Sequence, residues 1–272
     1  MKERSAAVPY ALATVGVLLL AWGSSWGLFA APGEAYMGDV QRIMYVHVPT
    51  AWNALLALTF AFVCALASLL RGGWQWDARL EAAIEVGVVL SALLCAQGAI
   101  WAQPTWGVWW DWDPRLTTTA VMVFAFGGIL ALRRFVDDPA RRAAWAAVAT
   151  IVAYADVPIV YFSVKWWNSL HQMQSTPETV SRAFHWPLRI NAFGVLFLMS
   201  GLIALRTRVA ALRLRSELAP PPPLRSGVAA RVPAAGGASC RTGASSTEGG
   251  NTSARPMPCR PWSSSGMPSS CT

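Results

Sequence analysis

Charge is what this sequence has least of. Asp, Glu, Lys and Arg make up 13% of its 272 residues, about half the ~25% of an ordinary soluble domain. With 54% of the residues hydrophobic, that scarcity argues against a water-soluble globule. Five cysteines are present, but no Cys-x-x-Cys pair occurs, which excludes a dithiol exchange site. No Cys-x-x-Cys-His occurs either, so the chain is not itself a c-type cytochrome. Gly-x-x-x-x-Gly-Lys-Ser/Thr is also missing, which excludes nucleotide binding by a P-loop. Histidine is reduced to three residues, His47, His171 and His185.

Long apolar runs are what the sequence does have. Six are long enough to cross a bilayer, at roughly 8–30, 52–70, 84–103, 116–134, 146–164 and 191–206. The expected fold class is therefore all-α, a polytopic membrane protein with six transmembrane helices. Lys2 and Arg4 before the first run resemble a signal-peptide start, but the length of that run and the five spans after it favour a retained helix. The net charge of +8 follows topology rather than nucleic-acid binding. With the N-terminus placed inside, the inner segments hold twelve basic residues and the outer ones five: Arg42, Arg115, Lys165, Arg182 and Arg189. This bias predicts that both termini are cytoplasmic. Inner connections are expected around 71–83 and 135–145, outer ones around 31–51, 104–115 and 165–190. Cys64 and Cys95 fall inside spans, where a thiol is ordinarily a small buried hydrophobe.

Residues 1–218 read as one membrane domain, and 219–272 as a different segment. The latter opens on Pro220-Pro-Pro-Pro223, has no hydrophobic period and carries five Arg against one Glu. That composition predicts disorder. Its scattered Cys240, Cys259 and Cys271 and its lone Trp262 are odd for an evolved linker and point to a non-native extension.

The densest chemical signal lies between the third and fourth runs. Five of fifteen tryptophans, Trp101, Trp106, Trp109, Trp110 and Trp112, fall within twelve residues. Tryptophan settles where an apolar phase meets water, but this density exceeds what anchoring a helix needs. On a helix, Trp106, Trp109, Trp110 and Asp113 would share a face, although Gly107 disfavours a regular helix there. Asp113-Pro114 reads as an N-cap followed by proline at the first helical position. Arg115 is placed to pair with Asp111 or to face a ligand carboxylate. All three histidines fall in outer connections, with Pro49-Thr50 reading as the start of the second span just below His47. If 165–172 is helical, Trp167, Leu170 and His171 share a face. His185 reads as a polar interface residue, with a transient ligand as the alternative. Asp156, at membrane depth beside Pro158, is a costly carboxylate that needs a partner or a role, and a partner subunit would meet that need. Two imidazoles, an aromatic shelf and a nearby arginine suit a flat macrocycle with a metal and an anionic edge, such as haem.

The run Trp106-Gly-Val-Trp-Trp-Asp-Trp-Asp-Pro-Arg-Leu-Thr117 resembles the tryptophan-rich motif of the haem-handling membrane proteins of cytochrome c biogenesis. Its Arg115-Leu116-Thr117 ending, with Tyr45-Val-His47-Val-Pro49 and Trp166-Trp-Asn-Ser-Leu-His171-Gln172, is similar to the haem exporter protein C branch. The resemblance covers about residues 8–210. It implies a subunit of the bacterial inner membrane that is not an enzyme. Its partners would be an ABC-type ATPase with its membrane subunit, a small single-span subunit and a periplasmic membrane-anchored haem chaperone. It implies haem b as cargo, held on the periplasmic face by His47 and His171 as axial ligands. Trp106, Gly107, Trp109, Trp110, Trp112 and Asp113 would form the shelf, with Arg115 against the propionates. Two other readings stay open from the residues alone, a membrane cytochrome b-type redox subunit and a structural subunit whose tryptophans only anchor helices.

Overall fold

The computed structural model describes residues 4–173 and 180–219, and among these the chain is helical with no β-strand. Helix α1 (Arg4–Ser25) runs into a π-helical turn (Trp26–Ala30), and a 3₁₀ turn (Asp39–Ile43) leads into α2 (Met44–Arg71). Then follow α3 (Trp74–Trp106), α4 (Pro114–Phe135), α5 (Pro139–Tyr154), α6 (Asp156–Trp166) and α7 (Arg182–Leu218). Six helical stretches are long and apolar enough to cross a membrane, with α5 and α6 together forming the fifth. The expected all-α, six-span fold is thus present. The proposed tail lies, from Pro220 onward, outside the described residues.

The helices run past the ends that hydropathy assigns. Only residues 72–73 and 136–138 interrupt the helix where the connections 71–83 and 135–145 are expected. The cause is a set of acid–base pairs that lets charged residues continue a helix. Arg133 of α4 donates to Asp77 at 2.6 and 2.9 Å and to Glu81 at 2.8 Å, both on α3. Arg213 of α7 also reaches Glu81, at 2.7 Å, and Arg206 of α7 holds Glu85 at 2.6 Å. Arg142 of α5 donates to Glu217 of α7. Asp77, Glu81 and Arg133 are buried, and buried charges persist only when paired and hydrogen-bonded. This network clamps α3, α4, α5 and α7 at the end opposite the tryptophans.

The fifth span is broken where its run reads as continuous. Pro158 has no N–H to return to the Tyr154 carbonyl, and α5 stops at Tyr154 with α6 restarting at Asp156. Asp156 keeps one carboxylate oxygen, Oδ2, buried and without a partner. The main core, built on Leu58, Ile84, Met122 and Phe126, packs α2, α3 and α4 together with α5 and α6. Helix α7 closes the bundle against α1 through close backbone contact. A Cβ on Gly16 would sit 2.4 Å from the Leu198 nitrogen, so only glycine fits there.

Pro49 does not start the second span. Helix α2 begins five residues earlier, at Met44, and Pro49 lies inside it. A proline there leaves the carbonyl four residues back, that of Tyr45, without its helical donor. Asn191 of α7 supplies the replacement: its side-chain amide donates to the Tyr45 carbonyl at 2.7 Å, fully buried. His47 is thereby held on a helical turn by α7 rather than standing above the helix end.

Two outcomes test this packing. Asn191→Leu strands the Tyr45 carbonyl and is expected to cost roughly 1–3 kcal/mol, read as a lowered unfolding midpoint in detergent. Arg133→Leu leaves two buried carboxylates short of a cation and should cost roughly 3–5 kcal/mol. Arg206→Leu, which breaks a half-exposed pair, should cost less than about 1 kcal/mol in the same assay.

Candidate functional site

A cleft opens between α2, α3, α4 and α6 at the tryptophan end of the bundle. Each wall is a helical stripe. From α2 come His47, Ala51 and Leu55, at i, i+4 and i+8, and from α3 come Leu94, Gly98 and Trp101, at i, i+4 and i+7. Arg115, Leu116 and Thr119 of α4 and Val160 and Tyr161 of α6 close it, and His171 and Met173 cover its mouth. The deep end is apolar and includes the free thiol Cys95, while the polar groups gather at the mouth.

His47 and His171 face each other there, with ring centres 6.3 Å apart and planes inclined by 28°. His47 is in the first turn of α2, where its Nδ1 is buried with no hydrogen-bond partner. A buried imidazole nitrogen left bare is costly unless a ligand completes it. Two imidazole nitrogens each about 2 Å from one metal would place their ring centres roughly 6 Å apart. The observed spacing fits a metal held between them. Trp101 lies 6.0 Å from the His171 ring and 5.0 Å from that of Trp106, edge to face with the latter.

His171 is not on a helix, contrary to the conditional helical reading of 165–172. Helix α6 ends at Trp166, and residues 167–173 are irregular. What fixes the segment is Asp113. Its Oδ1 accepts from the Arg115 N–H at 2.8 Å, capping α4 as the Asp-Pro pair predicts. Its Oδ2 accepts from the Leu170 N–H at 2.7 Å, which ties down the residue before His171. The His171 Nδ1 lies 2.9 Å from the Gln172 carbonyl oxygen and 3.3 Å from Arg115 Nη1. Burial is the main cause that pushes the His171 pKa below its ordinary value of 6.5. The Arg115 charge adds to this, and the Gln172 carbonyl opposes it. The imidazole is therefore neutral at pH 7, the form that binds metals.

The tryptophan segment is helical only as far as Trp106. Gly107 ends α3 in the left-handed region at φ 79°, donating its N–H to the Gln103 carbonyl at 2.9 Å, and 107–113 runs irregularly. Trp106, Trp109 and Trp110 consequently share no helical face. Trp106 and Trp110 line the cleft. Trp109 and Trp112 stand outside it, exposed, with Trp112 edge-on to Trp110 at 6.0 Å. Gly107 and Asp113 shape the backbone and do not line the cleft. Arg115 does not pair with Asp111; its Nη2 donates to the Tyr161 carbonyl at 3.2 Å. His185 is on α7, with Nε2 2.9 Å from the Val180 carbonyl oxygen and away from the cleft. Trp101, Trp52 and Tyr161 are cleft residues that sequence reasoning did not assign. The i, i+4 stripe below His47 and the Gly98–Trp101 stripe were the available signals.

The profile of a protein family described as Heme exporter protein C matches residues 2–219. The chain belongs to that family. It is 36% identical over 211 residues to a Heme exporter protein C of Bradyrhizobium diazoefficiens, covering 75% of this chain and 80% of that protein. It is 34% identical over 203 residues to the Escherichia coli K12 protein of that name, covering 73% and 80%. For the Rhodobacter capsulatus one the figures are 31% over 223 residues, 79% and 92%. In this chain, Asp113 and Arg115 join the start of α4 to the segment that carries His171.

Asp113→Asn keeps one acceptor for the α4 cap but turns an N–H toward that of Leu170. The expected result is about a tenfold increase in amide exchange across 167–173, equivalent to ~1.4 kcal/mol, with exchange in α4 little changed.

Proposed function

We propose that this chain handles haem for cytochrome c biogenesis, holding it at the outer end of the bundle between His47 and His171. The observation that carries this reading is the pair of facing imidazoles across an apolar cleft, one of them with a bare buried nitrogen. The name of its relatives, Heme exporter protein C, supports haem as the ligand and transport as the class of process. Haem is an apolar disc with one anionic edge. The apolar lining receives the disc, the two imidazoles take the iron axially, and Arg115 offsets the propionates. Trp106 and Trp110 pack the part inside the cleft. Exposed Trp109 and Trp112 extend an aromatic surface beyond it, leaving one ring edge open to a receiving protein.

In this account residues 1–218 form the working unit, in a bacterial inner membrane, with both termini cytoplasmic and the cleft periplasmic. The inside excess of Lys and Arg supports that orientation. The cargo is haem b, passed to a membrane-anchored periplasmic chaperone. An ABC-type ATPase, its membrane subunit and a small single-span subunit complete the assembly, and ATP hydrolysis there releases the loaded chaperone.

The test is the visible spectrum of the purified full-length chain with haem. Wild type should show a six-coordinate, low-spin spectrum. His47→Ala and His171→Ala should each lose it, with haem retention falling at least about tenfold. Unchanged spectra in both variants would remove the ligand assignment.

A further inference from the structure

The His171 Nδ1 is asked to do two incompatible things. A guanidinium only donates hydrogen bonds and a carbonyl oxygen only accepts them. The Gln172 carbonyl, at 2.9 Å, requires Nδ1 to carry the proton, whereas Arg115 Nη1, at 3.3 Å, requires Nδ1 to offer its lone pair. In a neutral imidazole the two choices are the two tautomers, and they leave opposite states at Nε2. With the proton on Nδ1, Nε2 has a free lone pair and can bind a metal. With Nδ1 accepting from Arg115, Nε2 carries the proton and cannot.

Arg115 is itself under-satisfied. Among the described residues no carboxylate lies within ion-pair distance of its guanidinium. Both oxygens of the neighbouring Asp113 are taken by backbone N–H groups. The Arg115 Nε is buried without a partner, and the side chain lines the cleft. The strongest partner such a group can gain is a carboxylate, held as a two-pronged pair.

We propose that Arg115 is a positioning residue that couples recognition of the ligand's anionic edge to the readiness of His171 as an axial ligand. Without a carboxylate beside it, the guanidinium competes for the Nδ1 lone pair and populates the tautomer with a protonated Nε2. A carboxylate at the cleft mouth draws the guanidinium to itself. The imidazole then takes a proton from solvent at Nδ1, directs that N–H as a hydrogen bond to the Gln172 carbonyl and releases the proton on Nε2 to solvent. The exchange leaves the net charge of the ring unchanged. His171 is thus a better ligand for a macrocycle that brings carboxylates. The inference rests on the reading that this cleft takes haem, and it specifies which feature of haem is sensed first.

The experiment uses metal-free protoporphyrin IX, which has the carboxylates and no iron, and its dimethyl ester, which has neither free carboxylates nor iron. Full-length chain is labelled with ¹⁵N at histidine only. Three histidines make the spectrum simple, and His171→Ala assigns the relevant signal. Both porphyrins exert the same ring-current effect, so the difference between them reports the carboxylates. The free acid is expected to shift His171 from mixed or Nε2–H to Nδ1–H, and the ester to leave it as in the empty protein. Arg115→Met should show Nδ1–H with no porphyrin added. It should also bind iron protoporphyrin dimethyl ester at least threefold more tightly than wild type does. A simple Arg–propionate ion pair would leave that ester affinity unchanged. An identical His171 tautomer with acid, with ester and without porphyrin overturns the inference, and needs no variant to fold. Failure of the haem-site reading looks different: neither porphyrin would perturb the cleft histidines, and haem bound elsewhere on the chain would be unaffected by His171→Ala.

Discussion

The carboxylate of Asp113 joins the two segments that meet at the cleft mouth. One oxygen starts α4 and so sets where Arg115 leaves the helix. The other holds the Leu170 N–H and so sets where the irregular segment carrying His171 crosses the cleft. A carboxylate that accepts two backbone N–H groups is buried at little cost, since both hydrogen bonds are charge-assisted. Without it, the backbone before His171 would lose its tie to α4, leaving the ring's contacts with Arg115 and Trp101 and the local ones with Ser169 and Gln172 to place it. The other half of that spacing is set from α7, where Asn191 replaces the helical donor that Pro49 removes and holds the first turn of α2.

The two ends of the bundle are connected by uninterrupted helices. Helix α3 carries Asp77, Glu81 and Glu85 near its start and Trp101 and Trp106 at its end. Helix α4 carries Arg115 in its first turn and Arg133, which binds the acids of α3, in its last. The charged clamp at one end therefore fixes the relative register of the helices that form two walls of the cleft at the other. Buried pairs of this kind add little net stability, because desolvation offsets their attraction, but a wrong register would leave charges unpaired. They specify one arrangement of α3, α4 and α7.

Much of this was legible in the sequence, for physical reasons that differ by element. The six spans follow from composition, because a bilayer demands long apolar helices and tolerates little else. Asp113-Pro114 announced a helix start, since both residues act locally. The pairing of His47 with His171 rested on likeness to a family and on a shared side of the membrane, and the structure supplies their spacing. The helix ends were illegible to hydropathy. Asp77 and Arg133 look like loop residues until their partners, more than fifty positions away, neutralise them. Gly107 warned that the tryptophans would not share a helical face. It could not say that Trp106 and Trp110 turn inward while Trp109 and Trp112 turn outward, because that depends on how 107–113 folds over the cleft. Trp101 escaped assignment because its role comes from the stripe it forms with Leu94 and Gly98.

The central claim is that one iron lies between His47 and His171 at the mouth of an apolar cleft. X-ray absorption at the iron edge of the haem-loaded, full-length chain tests it most directly. The account predicts a six-coordinate iron with two axial imidazole nitrogens at about 2 Å, one of them lost in His47→Ala and the other in His171→Ala. A five-coordinate iron in the wild type, or an axial sulfur or oxygen ligand, would contradict it.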